Sequence, residues 1–519
     1  MQVEEFLERS AKRMPDKTAL VCDGRRLTYA QLEDMANRQA HALIREGIER
    51  GDRVAIYLDN TVEAVISVFG VLKAGGVFLG INPTTKADKV ALTLNNCSAS
   101  ALVTDASKWT NVIEVFENSN NLRTVMVTGG NGHSMTGKNV MSLESVLEDH
   151  HLPDAPPPKK NIDMDLAALI YTSGSTGRSK GVMLTHLNIV SAATSITSYL
   201  DNRPDDVILS ALPLSFGYGL CQALTAFQFG GTLVLERSFA YTHAVLETLA
   251  REKATGFPIV PTMAAILLGL DLKNYDFSSL RYITNAAAAL PTDHIQRLRK
   301  FFPHVALYSM YGLTECIRVS YLSPDQIDIR PASVGRAIPN EEVYIVDEEN
   351  RRVTPGVVGE LVVRGANVMK GYWEDPEGTR QRLKPGPLPN ECVLHTGDLF
   401  RADEEGYLYF VARRDDIIKS RGEKVSPREV EEVLCTHPDV MESAVIGLPD
   451  PILGQAICAV ISVRDGSELK PGELQAHCKK HLEDFKIPKH ILLLQERLQR
   501  TPNGKIDKKL LPDLFKEPD

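Results

Sequence analysis

Short apolar runs rich in β-branched residues alternate along most of the chain with longer segments whose apolar positions recur at helical spacing. Leu27-Thr28-Tyr29 reads as the end of a strand, and Ala30–Glu46 as the helix after it. Arg53–Leu58 and Gly76–Leu79 read as strands flanking a helix over Thr61–Ala74, with Ala101–Thr104 and Thr124–Val127 as further buried strands. Such alternation builds βαβ units, so the pattern predicts an α/β fold with doubly wound, largely parallel sheets. Ala155-Pro156-Pro157-Pro158 is a Pro-rich connector, and a new strand over Ala167–Tyr171 follows it.

The pattern changes after about residue 332. Val343–Asp347, Gly359–Arg364 and Tyr407–Val411 are short strands separated by turn residues, the mark of a small β-rich subdomain. Beyond Arg413-Arg414-Asp415-Asp416 the chain reads helix (Pro427–Leu434), strands (Val440–Gly447, Ala456–Val463) and helix (Leu474–Glu483). The expected organisation is a large N-terminal domain over residues 1–412, with an α/β core at 1–331 and the β-rich subdomain at 332–412. A hinge at 413–416 would join it to a small α+β C-terminal lid domain over 417–519.

Composition narrows the function classes. A chain of 519 residues is too long for a single core. With 58 Lys+Arg against 67 Asp+Glu, the net charge of −9 offers no electrostatic footprint for nucleic acid or an anionic membrane. No apolar stretch is long enough for a spanning helix, so membrane insertion is not expected. The start, Met1-Gln2-Val3-Glu4-Glu5, carries acids where a secretory signal needs a basic and then apolar run, and Lys516–Asp519 is no address signal. The eight cysteines lie singly, as expected of reduced thiols in a cytoplasmic protein rather than a disulfide framework or zinc site.

The sharpest chemical signal is Tyr171-Thr172-Ser173-Gly174-Ser175-Thr176-Gly177-Arg178-Ser179-Lys180-Gly181, placed directly after a buried strand. Glycines let backbone amides approach an anion, hydroxyls add donors and Lys180 adds charge, which together suit a polyphosphate. Ser179 before Lys180 departs from the Gly-Lys-Ser/Thr of a Walker A loop. Tyr311-Gly312-Leu313-Thr314-Glu315 brings an aromatic face, a hydroxyl and a carboxylate within five residues, and Thr396-Gly397-Asp398 sets an acceptor-only group after a turn glycine.

Together with Gly359-Glu360-Leu361-Val362-Val363-Arg364-Gly365, Arg413-Arg414-Asp415, Lys419-Ser420-Arg421-Gly422-Glu423-Lys424 and Pro502-Asn503-Gly504-Lys505, these segments occur in one order that spans the chain. In that order they resemble the signatures of the adenylate-forming superfamily: acyl-CoA synthetases, adenylation domains and luciferases. The resemblance implies that Thr172–Gly177 and Lys180 hold ATP phosphates, Tyr311 and Gly312 flank adenine, Thr314 contacts the reacting phosphate and Glu315 holds Mg²⁺. Asp398 and Arg413 would take the ribose, Asp415 the hinge pivot, Gly422 and Lys424 the thiol tunnel. Lys505 would neutralise carboxylate and α-phosphate. Ala286, Ala287 and Ala288 occupy the adenine stretch, where alanines replace the common Gly-Gly.

The same resemblance places the acyl pocket at Phe216, Gly217, Tyr218, Val260, Cys316 and Ile317. α-Amino-acid-activating relatives commonly carry an aspartate at the position of Gly217, so an acid is expected to be preferred over its α-amino analogue. Arg318 is expected at the surface rather than meeting a second carboxylate, and Cys316 is not expected to act as a nucleophile. The implied function is ATP-dependent activation of a carboxylic acid to acyl-adenylate, followed by transfer to a thiol. The acceptor is coenzyme A or the phosphopantetheine of a carrier protein, and a non-catalytic nucleotide-binding protein or a luciferase-like oxygenase are the other readings. The chain is expected to be a monomer or homodimer.

Overall fold

The computed structural model describes residues 1–119, 121–130, 139–173, 179–421, 423–501 and 505–515. The chain divides into two compact units. The first comprises Met1–Pro331, Ala337–Val343 and Val363–Leu394; the second comprises Ala332–Arg336, Tyr344–Val362 and His395–Asp519.

The first unit is built on two large sheets. One runs Gly371–Tyr372, Ser179–Thr185, Leu166–Ser173, Val77–Gly80, Arg53–Tyr57, Ala101–Asp105, Thr124–Thr128, Asn139–Ser142. Its strands from Leu166–Ser173 to Asn139–Ser142 are parallel, and the other two pair antiparallel. Leu79, Leu102, Val125 and Leu169 share its core with Trp109 and Phe116. The other sheet runs from Ser320–Leu322 through Ala306–Tyr311, Tyr282–Asn285, Gly256–Ile259, Val207–Ser210, Thr232–Leu235 and Thr18–Cys22 to Arg25–Thr28. It is parallel from Ala306–Tyr311 to Thr18–Cys22, with antiparallel strands at both ends. The α/β fold with doubly wound sheets is thus observed. Apolar runs of four residues, too short to be separated from helix cores by periodicity, supply most of the second sheet's strands.

Local signals set the helix starts. Thr28 caps Tyr29–Arg45 in a capping box with Gln31, and Leu32, Ala36, Ala40 and Leu43 fall on the buried stripe. Val62–Lys73 is apolar almost all round and is buried along its whole length. Thr185 and Asn188 cap His186–Tyr199, the helix that follows the strand bearing Lys180. His186 is fully buried; its Nδ1 accepts the Val3 N–H at 3.1 Å and lies 3.4 Å from Glu4. The proton of the neutral ring therefore sits on Nε2. Burial holds His186 down at about 4 and raises the Glu4 carboxyl to about 7.

In the second unit, Asp398–Ala402 pairs antiparallel with Leu408–Arg413. Its C-terminal sheet runs Glu423–Val425, Ile418–Ser420, Gly454–Val463, Val440–Asp450, with His490–Leu494 parallel to Gly454–Val463. The helices Pro427–Cys435 and Pro471–Lys479 contribute Val430, Leu434, Leu474 and Cys478 to a core with Val445, Ile457 and Ile461. The second helix stops at Lys479, short of the expected Glu483, and Glu483–Lys486 turns instead.

Candidate functional site

In the first unit the described parts of the phosphate-loop segment, Tyr171–Ser173 and Ser179–Gly181, lie in strands. Leu166–Ser173 and Ser179–Thr185 pair antiparallel, with Thr172 opposite Lys180. Thr172 is half-buried at the end of its strand. Gly174, Ser175, Thr176 and Gly177 lie outside the described residues, and so does the side chain of Ser173. The Lys180 ammonium sits 3.0 Å from Asp375 and 4.9 Å from the centre of the Tyr372 ring. Asp375 is set by the helix it caps, accepting the Gly378 N–H at 2.7 Å ahead of Pro376.

Gly371–Tyr372 adds as an edge strand beside Val182 and Met183, and the Trp373 N–H donates to Gly181 at 2.7 Å. This short strand couples the hairpin to the Thr314-Glu315 loop. The Tyr372 hydroxyl donates to Oε1 of Glu315 at 2.7 Å, and the Met369 N–H donates to the Glu315 carbonyl at 2.7 Å. Burial first, and then the neighbouring carboxylate, raises the Tyr372 hydroxyl above its ordinary range, so it remains a donor. Oε2 of Glu315 has no partner among the described residues. One half-buried carboxylate beside the Thr314 hydroxyl is an all-oxygen donor set, which fits Mg²⁺ completed by substrate phosphates and water. No group of three or more His, Cys, Asp or Glu that could hold a metal on protein ligands alone occurs among the described residues.

The turn after Glu315 is tightly constrained. A Cβ at Gly312 would lie 2.6 Å from the Ile317 carbonyl oxygen and 2.9 Å from Arg318 Cα, so only glycine fits there. The Arg318 N–H donates to the Cys316 carbonyl at 2.7 Å, closing a γ-turn on Ile317, whose φ is +66°. Buried Asn367 donates to the carbonyls of Cys316 and Arg318, both at 2.9 Å. Asn367 and Tyr372 are positioning residues that sequence patterns did not single out. Tyr372 stands in a plain Gly-Tyr-Trp run, and the one available signal was Asp375-Pro376, a helix start.

Arg318 is not at the surface. It is 2% exposed, with its guanidinium carbon 5.3 Å from the centre of the Tyr218 ring. The γ-turn reverses the chain and breaks the alternation that would have turned this side chain outward. Tyr218 is buried as well, its hydroxyl 2.7 Å from the Thr284 hydroxyl and 3.0 Å from the Thr284 carbonyl. Phe216 precedes the helix Gly217–Phe229, and a Cβ at Gly217 would meet nothing within 4 Å. Val260 and Cys316 are buried, and burial carries the Cys316 thiol well above its ordinary range, so it is no nucleophile. Ala286 is buried, Ala287 adopts φ +73° and Ala288 is exposed, its carbonyl accepting from Asn285 at 3.0 Å. The left-handed backbone of Ala287 is one that glycine takes without cost.

In the second unit Asp398 and Arg413 are cross-strand neighbours, 3.5 Å apart, with Asp398 buried and Arg413 exposed. Thr396 accepts the Asp398 N–H at 3.1 Å and donates to the Leu361 carbonyl at 2.8 Å. Glu360 accepts the Gly397 N–H at 2.9 Å and lies 3.1 Å from His395, so Glu360 and Leu361 together pin the Thr396-Gly397-Asp398 turn. Asp415 is the middle residue of the 3₁₀ turn Arg414–Asp416, and its side chain is not described. Lys419 and Lys424 face each other across a strand pair, while Gly422 lies outside the described residues and the Lys424 side chain is not described. Lys505 is exposed, its carbonyl accepting the Thr501 N–H at 2.7 Å. All eight cysteines are free, and among the described residues no helix is long and apolar enough to cross a membrane.

The chain matches the family of AMP-binding enzymes over residues 7–373 and the C-terminal domain of AMP-binding enzymes over 429–505. It is 30% identical to a long-chain-fatty-acid–CoA ligase of Escherichia coli O157:H7, over 98% of this chain and 94% of that one. It is 32% identical to an oxalate–CoA ligase of Arabidopsis thaliana, over 99% of this chain and 98% of that one. Its fold superposes on the ATP-bound crystal structure of MatB from Rhodopseudomonas palustris with a TM-score of 0.90 at 28% identity, covering 99% of both chains.

Proposed function

The chain belongs to the family of AMP-binding enzymes, and from that membership we infer an AMP-forming acid–thiol ligase of acyl-CoA synthetase type. A carboxylate oxygen attacks the α-phosphorus of ATP; acyl-adenylate forms and pyrophosphate leaves. A thiol then attacks the acyl carbon and AMP departs, leaving a thioester. The observation that carries this reading is the linkage of the Lys180 hairpin to the Thr314-Glu315 loop through Tyr372. It ties the lysine proposed to meet phosphate to a carboxylate suited to a phosphate-bound cation.

Each residue has a role in this scheme. Lys180 neutralises phosphate charge once it leaves Asp375, and Thr172 and Thr314 donate hydroxyls to phosphate oxygens. Glu315, held by Tyr372 and Met369, would hold Mg²⁺, which when bound spreads the charge of the leaving pyrophosphate. Asp398 accepts from the ribose hydroxyls and Arg413 orients it. Tyr311 and Ala286–Ala288 frame the adenine. Lys505 supplies positive charge to the reacting carboxylate and α-phosphate, and Asp415 is the pivot between the adenylating and thioester-forming arrangements. Phe216, Gly217, Tyr218, Val260, Cys316 and Ile317 form the acyl pocket.

Coenzyme A is the proposed acceptor, with a carrier-protein phosphopantetheine as the second reading. The substrates for which these relatives are named, long-chain fatty acids and oxalate, differ too widely to pass an acid on to this chain. The test is acid-dependent pyrophosphate release across a panel of carboxylic acids, followed by thioester formation with coenzyme A and with a phosphopantetheinylated carrier protein. No acid-dependent pyrophosphate release from a folded preparation would refute the ligase reading. Thioester on the carrier protein alone would refute the choice of coenzyme A.

A further inference from the structure

Among the described residues, no carboxylate pairs with the buried Arg318. It is 2% exposed, and its Nε is buried without a hydrogen-bond partner. The titratable side chains of Tyr199, Tyr218 and Cys221 feel its charge. Burial raises the hydroxyls of Tyr199 and Tyr218 and the thiol of Cys221, and the positive charge of Arg318 is what chiefly opposes that rise in each. The Tyr218 ring offers a cation–π contact, which offsets only part of the lost hydration.

The backbone holds the side chain in this position. The γ-turn on Ile317 places a β-branched residue at φ +66°, a strained conformation, and Asn367 clamps the carbonyls on both sides of it. The Val319 N–H donates to the Tyr311 carbonyl at 2.9 Å, fixing the next residue to the end of the strand Ala306–Tyr311. The same loop carries Thr314 and Glu315. A buried cation held by a strained, doubly clamped turn beside an acyl-pocket tyrosine is expensive unless an anion arrives with the ligand.

We propose that Arg318 receives a second carboxylate on the tail of the acid substrate, so that the enzyme activates one end of a dicarboxylic acid while the guanidinium holds the other. The planar fork of a guanidinium suits bidentate contact with a carboxylate and is matched less well by a lysine. This substrate class rests on the ligase reading above and deepens it. The reaction is otherwise unchanged: the second carboxylate takes no part in bond making and only orients the chain.

The experiment compares straight-chain α,ω-diacids of about four to eight carbons with the monoacids and half-amides of equal length. Calorimetric binding and ATP-dependent pyrophosphate release are both measured, in the wild type, Arg318→Met and Arg318→Lys. Wild type is expected to favour the diacid of the best pair at least about tenfold in kcat/KM, which corresponds to ~1.4 kcal/mol. Arg318→Met should invert that preference towards the monoacid, and Arg318→Lys should keep its sign with a smaller size. Replacing an unpaired buried cation by an apolar side chain of similar volume should leave the melting temperature equal or higher, so loss of fold in Arg318→Met alone would count against the proposal. Equal turnover within every pair, or the same fold loss for mono- and diacids in Arg318→Met, overturns it, the latter because the arginine would then bind the reacting carboxylate. Diacid-selective binding that depends on Arg318, with no pyrophosphate release from any acid, would uphold the arginine's role and refute the ligase reading instead.

Discussion

Tyr372 and Glu315 stand 57 residues apart in sequence and share a 2.7 Å hydrogen bond, phenol to carboxylate. Through that bond, and the contact of the same ring with the Lys180 ammonium, one side chain links the strand bearing Lys180 to the Thr314-Glu315 loop. A hydrogen bond to a charged group contributes roughly 1.5–3 kcal/mol. Tyr372→Phe should therefore lower kcat/KM for ATP by about 10- to 100-fold and raise the magnesium concentration needed for half-maximal rate. Glu315→Gln should cost more. Pyrophosphate exchange measured against magnesium in the three proteins checks this, and an unchanged Tyr372→Phe would make the bond incidental.

Lys505 is exposed near the end of the described chain, where its carbonyl accepts the Thr501 N–H at 2.7 Å. Lys505→Ala is expected to cut acyl-adenylate formation by roughly 10²–10³ while thioester formation from supplied acyl-AMP survives better. The same paired assay tests the pivot. Asp415→Pro should keep adenylation and lose most thioester formation, since proline fixes φ and removes a donor where the chain must turn. Equal losses in both half-reactions would remove the role assigned to each residue.

The open space at Gly217 makes a specific exchange possible. A Cβ there meets nothing within 4 Å, so Gly217→Asp should be accommodated without distorting the helix start. Wild type should favour an acid over its 2-amino analogue by at least about tenfold in kcat/KM. Gly217→Asp should narrow or reverse that ratio by pairing with the ammonium. Competition assays with matched acids measure it directly; a wild-type preference for the amino acid would contradict the pocket assignment.

Stability should carry the mark of two buried groups that titrate in opposite senses. Glu4 is raised from 4.5 to about 7, so its contribution is complete below 4.5 and is lost as pH climbs through 7. His186 is lowered from 6.5 to about 4, so it must be neutral in the fold and its contribution grows as pH rises from 4 to 6.5. The two largely cancel in the wild type across the shared window. Glu4→Gln removes the opposing carboxyl, so its melting temperature relative to wild type should climb steadily from about pH 4.5 to pH 7.5. A difference between the two proteins that stays flat with pH would show that Glu4 is ionised in the fold.

The candidate residues that sequence made legible are those written in contiguous segments. Thr172, Lys180 and Thr314-Glu315 in the first unit, and Asp398 and Arg413 in the second, each stand in a short segment whose chemistry is local. Their supports were not legible, because the partners come from far along the chain: Asn367 reaches Cys316 from 51 residues away and Tyr372 reaches Glu315 from 57. Arg318 was misplaced for a different reason. Between Ile317 and Val319 it reads as the polar position of an exposed stretch, and only the positive φ of Ile317 turns it inward. Lys180 lies in the strand Ser179–Thr185, which the run of small hydroxyl and glycine residues before it does not announce in sequence.

Attack of a carboxylate oxygen on the α-phosphorus can be followed atom by atom. With the acid enriched in ¹⁸O at its carboxyl group, one complete turnover to thioester should leave a single ¹⁸O in the phosphate of AMP and none in pyrophosphate, read by mass spectrometry. Label in inorganic phosphate or pyrophosphate, or AMP that forms at the same rate without the acid, would contradict the assignment of this chain as an acyl-adenylate-forming ligase.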